Sequence, residues 1–125
     1  MREYCSDDAC FQRASVALTE LSFVLAAGLL PQPFALTEDG HEQIWQVNYL
    51  SHALLVELLL PVLERSGGRV VLVSSLVHHL GYRGGIRWEA VDSPVGFVPW
   101  KAYSQSKLAL LLHARALGAC DNLPA

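Results

Sequence analysis

A tyrosine and a lysine stand four residues apart in the segment Tyr103-Ser104-Gln105-Ser106-Lys107. On a helix this spacing places both side chains on the same face. An ammonium group beside a phenol stabilises the phenolate and lowers the pKa of the phenol, which is ordinarily about 10. The pair therefore suits general acid/base chemistry near neutral pH. The alternative interpretation is the start of a surface helix that carries a solvated lysine.

A serine ends the apolar run Arg69–Ser75. Reactive groups of a parallel α/β sheet collect outside the carboxyl ends of its strands. A hydroxyl at Ser75 can hold the oxygen of a carbonyl or an alcohol while Tyr103 moves the proton, which indicates redox chemistry at a C–OH group. A serine hydrolase that pairs Ser75 with His78 or His79 is a weaker alternative, because no Gly-x-Ser-x-Gly turn surrounds the serine.

Asn48 lies on the apolar stripe of a segment with a helical period. A buried amide costs free energy unless it is hydrogen-bonded. One interpretation is a structural amide that bridges to a backbone carbonyl. The other is a group that holds a water molecule in a proton path, and both can apply to the same residue.

Two short apolar runs predict buried strands. Ser22–Leu25 is stopped by the turn Ala26-Ala27-Gly28, and Arg69–Ser75 has no polar residue in its middle, which is typical of a strand covered on both faces. A helical period from about Glu38 to Arg65 separates them. Two strands joined by one long helix form a βαβ unit, so the sequence predicts a parallel α/β fold.

Thr37 or Asp39 is predicted to cap the long helix, and Ser66-Gly67-Gly68 to end it. Pro61 removes one backbone hydrogen bond, so a bend or break is expected there. The residues expected to form the apolar face of this helix are Ile44, Val47, Ser51, Leu54, Leu55, Leu58 and Val62.

We expect one domain over residues 1–125, and its periodicity divides it into four parts. It comprises a lead-in helix over 1–20, the βαβ unit over 21–75, a substrate loop over 76–100 and a catalytic helix over 101–118, ended by Gly118. A loop of roughly 25 residues is longer than a connector needs to be, and such loops usually cover a site.

Composition excludes several classes of protein. The 125 residues are 52% hydrophobic with a net charge of −3, which favours a folded core and leaves no basic field for nucleic acid. No apolar run reaches the roughly 20 residues of a membrane span, and the acidic, polar start does not look like a signal peptide. These features predict a cytoplasmic chain without a membrane span.

The cysteines Cys5, Cys10 and Cys120 form neither a CxxC pair nor a disulfide framework, so reduced thiols are expected. The adjacent His78 and His79 have no cysteine or carboxylate at ligand spacing. No metal site is predicted.

Four stretches, in this order, make the chain resemble the short-chain dehydrogenase/reductase family, in its retinol dehydrogenase and WW-domain oxidoreductase branch. The resemblance covers about residues 20 to 118 and implies a Rossmann-type fold with NAD(P)-dependent oxidation of an alcohol or reduction of a carbonyl. The stretches that carry it are Leu36 to Gly40, Gln46 to His52, Arg69 to Ser75, and Tyr103 to Ala109.

The resemblance also implies roles for individual residues. Tyr103 would be the general acid/base, Ser75 the partner of the substrate oxygen, Lys107 a ligand of the nicotinamide ribose, and Asn48 the holder of a relay water. The turn Ala26-Ala27-Gly28 would lie against the cofactor, NAD or NADP. Substrates in this branch are lipophilic, such as retinoids and steroids, which agrees with the apolar, aromatic loop over 76–100.

The family's Thr-Gly-x-x-x-Gly-x-Gly turn, which holds the cofactor pyrophosphate, does not occur in the sequence. We therefore expect a partial doubly wound sheet that lacks the first and last strands, and an oxidoreductase of impaired activity. The alternative function is a non-catalytic interaction module, which forms homo- or hetero-oligomers with full-length relatives through its two long helices.

Overall fold

The computed structural model describes residues 22–120, and the predicted lead-in helix over 1–20 lies outside this range. Strands β1 (Ser22–Leu25) and β2 (Arg69–Leu72) pair in parallel, with Ser22 opposite Arg69 and Leu25 opposite Leu72. The Val73 amide extends the ladder by donating to the Leu25 carbonyl over 3.1 Å. The predicted βαβ unit with parallel strands is therefore confirmed.

Helix α1 joins the strands and has three consecutive parts. An α-helical turn (Gln43–Trp45) leads into a π-helical turn (Gln46–Leu50), which continues as an α-helix (Ser51–Ser66). The Ser51 amide donates to the Gln46 carbonyl, five residues back, which defines the wider turn. Gly67 ends the helix with a φ of +61°, as the Ser-Gly-Gly sequence predicts.

The start of α1 differs from the prediction. Glu42, rather than Thr37 or Asp39, is the cap, and its carboxylate accepts the amides of Ile44 at 2.9 Å and Trp45 at 2.8 Å. The helix begins later than predicted because the preceding residues form a turn, in which the Gln43 amide donates to the Ala35 carbonyl over 3.0 Å. Burial raises the pKa of the Glu42 carboxyl, against the effect of those two amides.

The expected break at Pro61 does not occur, because the helix continues through it to Ser66. Pro61 cannot donate to the carbonyl four residues earlier, which belongs to Glu57. Both residues lie on the exposed side of α1, where water can solvate that carbonyl. The irregular turn lies instead at Gln46–Leu50, around Asn48.

The predicted apolar face of α1 is largely exposed, with Leu54 at 61% and Leu58 at 68% of their possible surface. Of the predicted residues, Ile44 is buried as expected, but the rest of the buried face is made of Trp45, Asn48, His52, Val56 and Leu63, which the predicted face did not include. Leucines occur around most of this helix, so periodicity alone did not identify the side that packs. The neighbouring helix and loop determine it.

The strands are also less covered than predicted. Val24, Val71 and Val73 are exposed by 62%, 39% and 39%, so one face of the sheet is open within residues 22–120. Strand β2 ends at Leu72, three residues before the predicted end at Ser75. The prediction of cover on both faces is wrong for the described part of the chain, where helices pack on only one side.

The segment after β2 contains two 3₁₀ turns, Leu76–Leu80 and Trp88–Ala90, and then helix α2 (Pro99–Cys120). Helix α2 begins two residues before the predicted 101, with proline at its first position, and it passes the predicted stop at Gly118. A cluster of Trp45, Val91 and Ala109 joins α1, the loop and α2.

One helix in the described range, Gln43–Ser66, is long and apolar enough to cross a membrane by length and composition. The core helix of a soluble protein can have the same length and apolar composition, so these two properties do not distinguish it from a membrane span. Asn48 and His52 on this helix are buried within the fold.

Candidate active site

The candidate site lies where the chain leaves the two strands and meets the start of α2. The turn after β1 supplies Gly28, and α1 supplies Asn48 from its π-helical turn. Helix α2 supplies Tyr103 and Lys107 from its first three turns. The contacts described below bring these four residues together.

Asn48 is fully buried and ties α1 to two other elements. Its Oδ1 accepts the Leu29 amide at 2.7 Å, and its Nδ2 donates to the Leu29 carbonyl at 3.0 Å. Nδ2 also donates to Ser106 Oγ on α2 at 3.1 Å. The structural bridge to a backbone carbonyl is confirmed, and the role of Asn48 in holding a water molecule stays a prediction.

Gly28 approaches this cluster so closely that its missing side chain matters. A Cβ atom at Gly28 would lie 3.2 Å from Asn48 Oδ1 and 3.4 Å from Lys107 Nζ. The first distance is shorter than ordinary van der Waals contact, so the turn after β1 passes over the amide and the ammonium with little space. The preceding residues, Ala26 and Ala27, are exposed.

Lys107 is not the solvated lysine of the alternative interpretation, because only 5% of its surface is exposed. Its Nζ donates to the Val73 carbonyl at 3.2 Å and lies 5.9 Å from the centre of the Tyr103 ring. Burial lowers the pKa of the Lys107 ammonium. Ser74 Oγ holds the same turn of α2 by donating to the Lys107 carbonyl at 2.7 Å.

Ser75 begins the 3₁₀ turn Leu76–Leu80, and its hydroxyl accepts the Val77 amide at 3.4 Å. A ring nitrogen of His78 lies 2.8 Å from the backbone carbonyl of Ser75. The contact of this histidine is thus with the main chain of Ser75 and not with its hydroxyl, which does not support the hydrolase alternative. The turn that starts at Ser75 packs against α2.

Comparisons with known proteins find related short-chain dehydrogenases. The chain is 41% identical over 97 residues to short-chain dehydrogenase TIC 32 A, chloroplastic, of Brassica napus, covering 73% of this chain and 30% of that protein. It is 42% identical over 104 residues to polyprenol dehydrogenase of Homo sapiens (77% and 31%) and 40% identical over 92 residues to retinol dehydrogenase 14 of Mus musculus (73% and 27%). The chain belongs to the short-chain dehydrogenase/reductase family.

This member of the short-chain dehydrogenase/reductase family spans about a third or less of the length of the curated relatives it matches. The relatives support the retinol dehydrogenase-like branch and an oxidoreductase ancestry. The parallel sheet agrees with the expected partial Rossmann-type fold. No family model matches the chain, and no solved structure does either.

Sequence reasoning missed one residue at the site of this short-chain dehydrogenase/reductase. His52 lies one turn after Asn48 and is 5% exposed. Burial, and then the positive charge of Lys107, lower the pKa of the His52 imidazole. In the sequence, His52 follows Asn48 by four residues, and this spacing, which places both on one face of a helix, could have identified it. Among residues 22–120 no group of three or more His, Cys, Asp and Glu side chains could hold a metal ion.

Proposed function

We propose that the chain is an NAD(P)-dependent oxidoreductase that acts on the alcohol or carbonyl group of a lipophilic substrate. The observation that carries the proposal is the buried ammonium of Lys107, held beside the Tyr103 ring and under Gly28. No carboxylate among residues 22–120 pairs with this buried lysine, and burial of an unpaired charge costs free energy, which supports a function for the charge. Relatives named polyprenol dehydrogenase and retinol dehydrogenase support a lipophilic substrate such as a retinoid or steroid.

In this proposal Tyr103 is the general acid/base that moves the proton of the substrate hydroxyl. Ser75 holds the substrate oxygen, and Lys107 binds the nicotinamide ribose. Asn48 holds a relay water in addition to its bridge to Leu29. NAD or NADP, when bound, supplies or accepts the hydride.

The described residues fit one half of such a cofactor. The bare Cα of Gly28 lets the turn Ala26-Ala27-Gly28 approach a ribose near Lys107 without a side chain in between. The sequence contains no glycine-rich turn for the pyrophosphate. Binding through the nicotinamide half alone would be weak, which supports the expectation of impaired activity.

Binding of the nicotinamide half of the cofactor alone tests the proposed site. We expect nicotinamide mononucleotide to shift the amide NMR resonances of Gly28, Leu29 and Ser106 in the 125-residue chain, because these residues surround the Lys107 ammonium. Adenosine monophosphate, which lacks the nicotinamide, should leave the same resonances unchanged. The measurement is a pair of amide-resolved titrations at millimolar ligand.

The matched variants are Lys107→Met and Lys101→Met. Lys107→Met should abolish the shifts, whereas Lys101→Met, which alters an exposed lysine of the same helix, should keep them. Equal shifts with both nucleotides, or shifts that survive in Lys107→Met, would refute the proposed cofactor site. The spectra themselves report whether each variant is folded.

The second candidate function is that of an interaction module without catalysis. The exposed leucines Leu54 and Leu58 of α1, with Leu111 and Leu112 of α2 exposed by 38% and 45%, favour it. Leu54 and Leu58 lie one turn apart, and exposed apolar side chains on one face of a helix commonly mark a contact with another chain. A homo-oligomer of this chain, or a hetero-oligomer with a full-length relative, would cover both helices.

Sedimentation equilibrium distinguishes this candidate. We expect the chain to associate at micromolar concentration, and the double variant Leu54→Glu, Leu58→Glu to be monomeric, because buried carboxylates at the contact are costly. Glu57→Gln, an exposed change on the same helix, should associate like the original chain. A monomeric original chain at high concentration would exclude self-association.

We further propose a cytoplasmic location for the chain, on its composition alone.

A further inference from the structure

Arg87, in the loop between β2 and α2, contacts one later and one earlier part of the same loop. Its Nη1 donates to the Gly96 carbonyl and its Nη2 to the Val95 carbonyl, each at 3.0 Å. Its guanidinium also lies over the Tyr82 ring, 4.6 Å from the ring centre. One planar group therefore connects residues on both sides of the loop, and its two hydrogen bonds fix the orientation as well as the distance.

Tyr82 connects the beginning and the end of the segment 82–98. Its hydroxyl oxygen accepts the Val98 amide at 3.0 Å, sixteen residues along the chain. The Lys101 ammonium lies on the same ring at 5.8 Å from its centre. The segment 82–98 is thus joined at its two ends by a tyrosine and across its middle by an arginine.

A third contact fixes this closed segment to α2. The Arg87 amide donates to Oε1 of Gln105 at 2.8 Å, and Gln105 is only 4% exposed. Gln105 lies on α2 between Tyr103 and Lys107. The loop is therefore attached to the same turn of helix that carries the candidate catalytic pair.

Exposed apolar side chains lie on the attached segment and at the start of α2. Trp100 packs edge-on against Tyr103, with ring centres 6.3 Å apart, and remains 62% exposed. Val95 and Val98 are exposed by 75% and 42% although their main chains are bonded to Arg87 and Tyr82. The main chain is held while the apolar side chains stay available for a ligand.

We propose that Arg87 and Gln105 are positioning residues, a clasp that holds the segment 82–98 against α2 so that Val95, Val98 and Trp100 form an apolar wall for the carbon chain of the substrate. The inference rests on the proposed function for its substrate class and deepens it. A preformed wall removes the cost of ordering the loop on binding, so it favours long apolar ligands over short ones. The polar contacts of the clasp do not touch the reacting atoms.

Hydrogen exchange of the full 125-residue chain tests the clasp. We expect Arg87→Met to accelerate amide exchange of residues 88–98 by about tenfold or more, because two charge-assisted bonds and a ring contact are lost. Exchange of α1 should not change. Arg83→Met is the matched control, because Arg83 is an exposed arginine of the same loop without any of these contacts in the described part of the chain, and it should exchange like the original protein.

The second measurement concerns the ligand and needs no turnover. We expect the dissociation constant of dodecanol, followed by the indole N–H resonance of Trp100, to rise about tenfold in Arg87→Met and in Gln105→Met, whereas that of butanol stays within about twofold. Arg87→Lys, which retains one cationic donor, should restore part of the selectivity. A general loss of packing would weaken both alcohols alike.

Each outcome decides between the interpretations. Unchanged exchange over 88–98 in Arg87→Met overturns the clasp. Accelerated exchange with an unchanged ratio of dodecanol to butanol affinity overturns the role in substrate binding. Failure of nicotinamide mononucleotide to bind contradicts the proposed oxidoreductase function but leaves both of these results interpretable, because neither depends on the cofactor.

Discussion

We expect Tyr103→Phe to lower the proposed rate of hydride transfer between NAD(P)H and a lipophilic carbonyl such as retinal by about 10²- to 10⁴-fold, the usual contribution of a positioned general acid or base. The substitution removes only the hydroxyl group. The ring that packs against Trp100 and lies near Lys107 remains, so the fold and the position of the ammonium are retained. NAD(P)H absorbance with retinal, retinol and steroid substrates measures the effect.

Tyr49→Phe is the control for this prediction. Tyr49 lies on α1 and packs against Trp45, with ring centres 4.7 Å apart, and its hydroxyl has no place in the proposed chemistry. We expect its rate to match that of the original chain. If Tyr103→Phe also matched it while turnover was clear, the mechanism based on Tyr103 would be wrong, whatever the family of the chain.

Asn48→Leu is expected to lower the free energy of unfolding by about 3 kcal/mol, because each buried polar group left without a partner costs roughly 1–3 kcal/mol. The change removes the paired hydrogen bonds with the Leu29 main chain and the bond to Ser106 Oγ. It leaves the Leu29 amide and carbonyl without these bonds at the turn that carries Gly28. Urea unfolding followed by circular dichroism gives the difference.

Two further variants separate the bonds of Asn48 from the bulk of the side chain. Asn48→Asp keeps an acceptor for the Leu29 amide, loses the donor to Leu29 and Ser106, and adds a carboxylate at a fully buried position, so a loss at least as large as that of Asn48→Leu is expected. Gln43→Leu removes a partly buried amide at the start of the same helix and the single bond that its Oε1 accepts from Gln32 Nε2 over 3.1 Å, so it should lower the free energy of unfolding by only about 1 kcal/mol. A fully stable Asn48→Leu chain would show that the bridge contributes little.

The candidate catalytic residues could be found from the sequence because the patterns that mark them are local. Tyr103 and Lys107 lie one helical turn apart, and that spacing alone places them on one face. The apolar runs of the two strands and the Ser-Gly-Gly stop of α1 are equally local, and the structure confirms both strands and the stop. Local preference and final packing agree at these positions.

Other predictions failed where the outcome depends on residues distant in sequence. Glu42 is not a usual cap, and it acts as one because its own amide is held by Asp92 Oδ1 at 2.7 Å, fifty residues later. The buried face of α1 is the one that meets α2, although leucines such as Leu54 and Leu58 made another face look apolar. The π-helical turn around Asn48 has no simple sequence signal.

The sequence by itself determined which reactive groups this protein has, their order along the chain, and the pair of parallel strands. Only the tertiary structure decided that Lys107 is buried, that Gly28 passes over Asn48 and Lys107, and that Arg87 holds its loop against Gln105. The physical reason is that spacing within one helix sets only local geometry. Burial and hydrogen bonds between distant segments depend on how all of the elements pack together.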